Sequence, residues 1–265
     1  MSGLHDLATA APGALAALVL VLARIAGMMV LAPVFGSHAV ALRIRAAFAF
    51  FVAVVVTPVV APLARDVALP ATNGALLLAI ACESVIGFAI GLVGQFLFAG
   101  ALLAGELAGV EMGLGLSGLI DPQSQVRTTP IAEWQQLMAL LVFLSVDGHH
   151  VVLRAVADSF HRLPLGGAEP SGAGLALAIR LAGEIFVVAL KIASPVLLLV
   201  VLANLAMGSL ARLIPQMNVM AVGFPVSVGA GLFALGIAQP TVVRIFASGF
   251  NGLAGVLSGV VGALG

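Results

Sequence analysis

The sequence predicts an all-α integral membrane protein, and three observations carry that prediction. Of 265 residues, 62% are hydrophobic and only 8% are charged, against about 25% charged in soluble domains. Uninterrupted apolar runs repeatedly reach the length of about 20 residues that a helix needs to cross a bilayer. None of them shows the ten-residue alternation of a barrel strand, so helix is the one way to satisfy their backbone groups in lipid.

The first run, Leu7 to Pro33, is expected to be retained. No Lys or Arg precedes Arg24, and the small residues Ala8-Thr9-Ala10 stand before the apolar stretch, the reverse of a cleavable signal peptide. Further spans are expected at Ala46 to Pro62, Ala75 to Leu103, Ala173 to Ala203 and Val219 to Ala238, with a last one from Thr241 onward. Two stretches break the pattern: Glu106 to Glu133 is polar and glycine-rich, and Asp147 to Pro170 holds most of the histidines. Between them, Ile131 to Val146 is short for a span and suits a partly embedded or protein-buried helix. Arg43, Arg45, Arg65, Arg154, Arg162 and Arg212 are spread over successive connections without alternation, so the positive-inside rule assigns no orientation. Aromatic belts are missing: there is no Tyr, and Trp134 sits beside a polar break. Either an alanine-rich composition or a surface that faces protein accounts for this.

Eleven basic and eleven acidic residues cancel, which leaves no basic stripe to neutralise phosphates and argues against a nucleic-acid partner. A single cysteine, Cys82, excludes an internal disulfide framework and a cysteine zinc cluster. Charges at span depth are Arg24, Glu83, Arg180, Glu184, Lys191 and Arg244. Each costs about 2.5 to 3.5 kcal/mol at the centre of a lone helix, so each needs a partner or water. Arg180 and Glu184 stand one turn apart, and Arg24 with Glu83 is a candidate interhelical pair; a proton relay is the other reading of Glu83 and Lys191.

Small residues recur at helical spacing. Gly105, Gly109 and Gly113 lie four apart, Gly87 and Gly91 repeat that spacing, and Ser248, Gly252, Gly255, Gly259 and Gly262 strip one face of the last helix. A glycine costs a helix about 1 kcal/mol, so close packing is expected against these faces, within the chain or against another subunit.

Catalytic patterns fail on context. Gly113-Leu-Gly115-Leu-Ser-Gly118 fits G-x-G-x-x-G with Glu133 at the expected remove, but no strand precedes it and Pro122 and Pro130 interrupt any helix after it. Gly115-Leu116-Ser117-Gly118 resembles the serine motif of rhomboid intramembrane proteases, whose nucleophile needs a histidine base. Its candidates, His149, His150 and His161, lie in a polar, charge-bearing segment outside the expected spans. H-E-x-x-H is absent, and His5 and His38 stand alone.

More specific are the ordered blocks. Glu111-Met112-Gly113 through Leu119-Ile120-Asp121-Pro122, then Pro130, Phe143 to His149, Asp158-Ser159-Phe160-His161 and Leu163-Pro164-Leu165-Gly166 form one set. Pro195, Asn204-Leu205-Ala206-Met207-Gly208, Arg212, Ile214-Pro215-Gln216-Met217-Asn218 and Gly223-Phe224-Pro225 form a second; Arg24, Gly27, Pro33, Phe35 and Gly36 fit as well. Together they resemble the FliR (SctT) family of bacterial type III export-gate subunits over nearly the whole chain.

The resemblance implies a single membrane-embedded export-gate domain with no enzymatic role and no cofactor, in which tilted, hairpin-like helices pack into a helical assembly. It implies FliP-type and FliQ-type partners, a FlhB-type switch subunit, unfolded export substrates in transit, and a place in the flagellar basal body at the bacterial cytoplasmic membrane; a virulence-type system is the alternative. It also puts a plug in the lumen, formed by the loop at about 106 to 130. Gly113, Gly115 and Gly118 let that backbone rearrange, Met112, Leu114, Leu116, Leu119 and Ile120 supply an apolar constriction that stops ions by dewetting, Ser117 lies between them, and Asp121-Pro122 ends the turn. Gly105, Gly109, Gly252, Gly255 and Gly259 are expected to pack in the assembly. Pro215-Gln216-Met217-Asn218 with Gly223-Phe224-Pro225 reads as a helix break inside the membrane region, at an assembly interface or, as in a solute transporter, at a substrate-binding half-helix.

Overall fold

The computed structural model describes residues 2–33, 41–60, 72–116, 128–166, 172–214 and 218–263. Among these the chain is an all-α membrane protein of seven α-helices: α1 (Ser2–Leu31), α2 (Leu42–Val60), α3 (Asn73–Glu111), α4 (Pro130–Ser145), α5 (Gly148–Arg162), α6 (Gly172–Leu213) and α7 (Val219–Ala263). A 3-10 turn, Leu114–Leu116, comes after α3. Among the described residues, four helical stretches are long and apolar enough to cross a membrane: Leu42–Val60, Asn73–Glu111, Ile179–Leu213 and Ala221–Gly262. The pair α4 and α5 adds a fifth only if its 66° bend lies within one broken span.

Three helices run further than the apolar runs announced. The polar stretch from Glu106 begins as helix and stays helical to Glu111, since nothing there interrupts the i to i−4 ladder. Val219 to Ala238 and the run from Thr241 are one 45-residue helix, not two spans, because Pro240 lies inside it. Gly223-Phe224-Pro225 likewise sits within α7, so the expected break is confined to the interval between Leu213 and Val219. A proline deletes one backbone bond and costs about 3 kcal/mol in an isolated helix, but an apolar flank in lipid has no cheaper way to satisfy its other peptide groups. Arg244 Nε also donates to the Pro240 carbonyl at 3.2 Å, a turn back along the helix. In the 42-residue α6, an uncharged stretch of bilayer length separates the exposed Lys191 from Arg212, so both charges can stand at the ends of a span.

The chain forms two compact units: Met1–Gln95 with Asp147–Leu181 and Asn251–Gly265, and Phe96–Val146 with Ala182–Phe250. In the first, α1 buries Ala17, Leu20, Val21, Ile25, Met28 and Met29, a stripe at three- and four-residue spacing. It meets α3 backbone to backbone. A Cβ on Gly27 would stand 2.5 Å from the Ser84 carbonyl oxygen, one on Gly91 2.5 Å from that of Met28, and one on Gly87 would overlap the Arg24 carbonyl. The small-residue spacing of Gly87 and Gly91 is thus used inside the chain. In the second unit, Phe98, Phe143 and Phe250 meet with ring centroids 5.2 to 5.5 Å apart.

Candidate functional site: the stem of a glycine-rich loop

The end of α3 and the start of α4 are bonded to each other on either side of the connecting segment. Thr129 caps α4: its hydroxyl oxygen accepts from the Ala132 N–H at 3.3 Å, with Pro130 at the first helical position where no N–H is required. The same hydroxyl donates to the Gly105 carbonyl at 3.3 Å, and the Glu106 carboxylate accepts the Thr129 N–H at 2.8 Å. Residues at either end of the loop are therefore tied to each other by side chain and backbone. Only glycine permits the approach. At Gly105 a Cβ would overlap the Ala132 backbone, and at Gly109 the Thr129 side chain.

Past the stem the chain leaves α3 through Met112 and Gly113. Gly113 has φ +83°, in the left-handed region that glycine alone enters at no cost, and its N–H reaches the Val110 carbonyl at 2.9 Å. Hence Gly113 does not extend the zipper of Gly105 and Gly109; it ends the helix. Met112 is fully buried in a cluster with Ala108, Ile131, Val196, Val200, Ala234 and Leu235. Gly231 makes room for it, since a Cβ there would stand 2.5 Å from Met112 Cγ. Phe224 lies against the open side of Gly113, 3.2 Å from where a Cβ would be. The structure therefore brings Met112 and Phe224, which belong to separate sequence blocks, to the foot of the loop, with Leu114 partly buried against the same cluster. Gly115 lies near Val110. Leu116 ends the 3-10 turn, while Ser117, Gly118, Leu119, Ile120, Asp121 and Pro122 lie outside the described residues. Met112 is thus packed at the end of α3 against α6 and α7.

The other expected residues divide. Asn218 caps α7, its carboxamide oxygen accepting from the Ala221 N–H at 3.1 Å; Pro215, Gln216 and Met217 fall outside the described residues. Gly223, with Pro225 two residues on, sits on α7 with nothing within 4 Å of where its Cβ would be. Gly252, Gly255 and Gly259 likewise meet no neighbour within 4 Å, and all are exposed. Among the described residues no close partner packs on that stripe.

A second constellation lies in the first unit. Arg24 Nε donates to Glu83 Oε2 at 2.5 Å, and both side chains are fully buried. The remaining guanidinium nitrogens donate to Ser159 Oγ and to the Leu163 carbonyl, each at 3.0 Å, and the Phe160 ring lies 4.2 Å from the guanidinium carbon. Glu83 Oε1 accepts the Gly166 N–H at 3.0 Å. The paired charges expected from the sequence are real, and Ser159, Phe160, Leu163 and Gly166, which stand out in the sequence only as parts of motifs, are the cage around them. A fully satisfied buried pair holds α1, α3 and the end of α5 in one arrangement. His149 and His150, with ring centroids 4.1 Å apart, start α5, where Asp147 takes φ +55°.

Comparison with known proteins agrees with the blocks. The family model described as bacterial export proteins, family 1, matches residues 15–253. The chain is 33% identical over 242 residues to the flagellar biosynthetic protein FliR of Escherichia coli (strain K12), covering 89% of this chain and 91% of that protein. It is 34% identical to the FliR of Pectobacterium carotovorum subsp. carotovorum and 29% to that of Bacillus subtilis (strain 168), each over 89% of this chain and 90% of the relative. A match of this length, over residues that form the loop stem and the buried ion pair, places the chain in the FliR (SctT) family of bacterial export proteins.

Proposed function

We propose that the chain is a non-enzymatic core subunit of the flagellar type III protein export gate in the bacterial cytoplasmic membrane. In this reading it forms part of a protein-conducting channel with FliP-type and FliQ-type partners, beside a FlhB-type switch subunit, and its glycine-rich loop is the plug. The family match over residues 15–253 carries the proposal, and the relatives' name as flagellar proteins favours the flagellar system over the virulence type.

The stem geometry supports a plug. A stopper must swing without pulling its flanking helices apart, and a loop whose two ends are bonded through Glu106, Thr129 and Gly105 can rearrange beyond that point at little cost to the core. Deleting residues 114–120 is expected to raise ion and small-molecule leak in cells producing the complete assembly; an unchanged leak would count against the plug.

The bare stripe supports partners. Replacing Gly252, Gly255 and Gly259 together by Ile is expected to release co-purifying multi-helix subunits in mild detergent, scored by mass spectrometry. The chain itself should stay folded, since no described residue lies within 4 Å of a Cβ at these positions. Undiminished subunit recovery would reject the stripe as an interface.

A further inference from the structure

A groove of about 190 Å³ in the first unit has walls of opposite character. One is α5, where Arg154, Asp158 and Arg162 succeed one another at four-residue spacing and so rise from one face. Two guanidinium groups face one carboxylate there, and among the described residues no ion pair engages either arginine. Arg162 Nη1 donates to the Ser258 carbonyl at 3.4 Å, which bridges to the opposite wall. That wall is the end of α7, which carries no charge from Ile245 to Ala263 and offers Ala254 to the groove, with Ala155 beside it from α5.

We infer that this groove holds the headgroup of an anionic phospholipid, its phosphate drawn by Arg154 and Arg162 and its glycerol and upper chain lying on Ala155 and Ala254. A free phosphate would need the arginines but has no use for the uncharged wall. A partner helix would be expected on the glycine stripe, which lies roughly a third of a turn around α7 from the groove. A lipid matches both walls at once, and basic pockets between membrane helices select anionic headgroups because the zwitterionic ones present no net charge.

The test is native mass spectrometry of the full chain in mild detergent, with whatever subunits it retains, titrated with phosphatidylglycerol or phosphatidylcholine of identical chains. Phosphatidylglycerol is expected to be retained about fivefold more, the yield of one net positive charge near an anionic headgroup. Arg154→Gln and Arg162→Gln should each lower its retention about fivefold, Asp158→Asn should raise it about fivefold, and Arg154→Lys with Arg162→Lys should preserve the preference. The Asp158 response separates a charge-selective site from a structural role, which would not strengthen binding. Equal retention of the two lipids, or a preference that survives loss of both arginines, overturns the inference. So does displacement of phosphatidylglycerol by an equal concentration of inorganic phosphate, or loss of a protein subunit instead of lipid from the glutamine variants.

Discussion

Glu83→Gln is expected to destabilise the folded protein by about 3–5 kcal/mol, because it strands the fully buried Arg24 guanidinium without a counter-charge. The measurement is the midpoint of thermal unfolding in mild detergent, and an unchanged midpoint would contradict the proposed role of the pair. Removing both charges is a different experiment. Arg24→Met with Glu83→Met deletes the uncompensated ion, and the Ser159 hydroxyl keeps its own acceptor, the Val156 carbonyl at 2.6 Å. The Leu163 carbonyl and the Gly166 N–H lose their partners, so the double variant is expected to remain about 1–3 kcal/mol below the native protein. A double variant as unstable as the single would show that the hydrogen bonds of the cage, and not the stranded charge, dominate.

Gly105→Ala carries the second large effect, and its sign is decided by two opposed terms. Alanine gains about 1 kcal/mol of helix propensity. Its Cβ, however, would overlap the Ala132 backbone, which cannot step aside as the tip of a flexible side chain does, and overpacking of this kind costs about 1–3 kcal/mol or more. The clash wins: α4 must move, and the bonds from Thr129 to Gly105 and Glu106 loosen with it. The expected readouts are a lower thermal midpoint and faster proteolysis within residues 117–127. Gly183→Ala is the control on α6, where no described residue lies within 4 Å, so only the propensity gain applies and the midpoint should rise slightly. Equal shifts at the two positions would reject the packing argument.

The sequence by itself determined that the chain is helical and membrane-embedded, because a composition of 62% hydrophobic residues with scarcely any charge leaves no other solvent and no other backbone solution. It also determined that Arg24 and Glu83 were worth pairing, since a charge within an apolar run is costly enough to demand a partner, and the ordered blocks were enough to name the family. Tertiary structure alone decided which glycines meet a close neighbour and which do not among the described residues. Gly105, Gly109, Gly252 and Gly255 have much the same local spacing, and only the position of neighbouring helices distinguishes them. Likewise, no local signal says whether Pro240 ends a helix or is absorbed by one, because the answer depends on surroundings that leave peptide groups no alternative. Met112 belonged to a loop by sequence position; its place as a buried foot comes from the space that Gly231, 119 residues away in sequence, leaves open. Contacts between residues that far apart are set by how whole helices pack, and a pattern of neighbours along the chain carries no record of them.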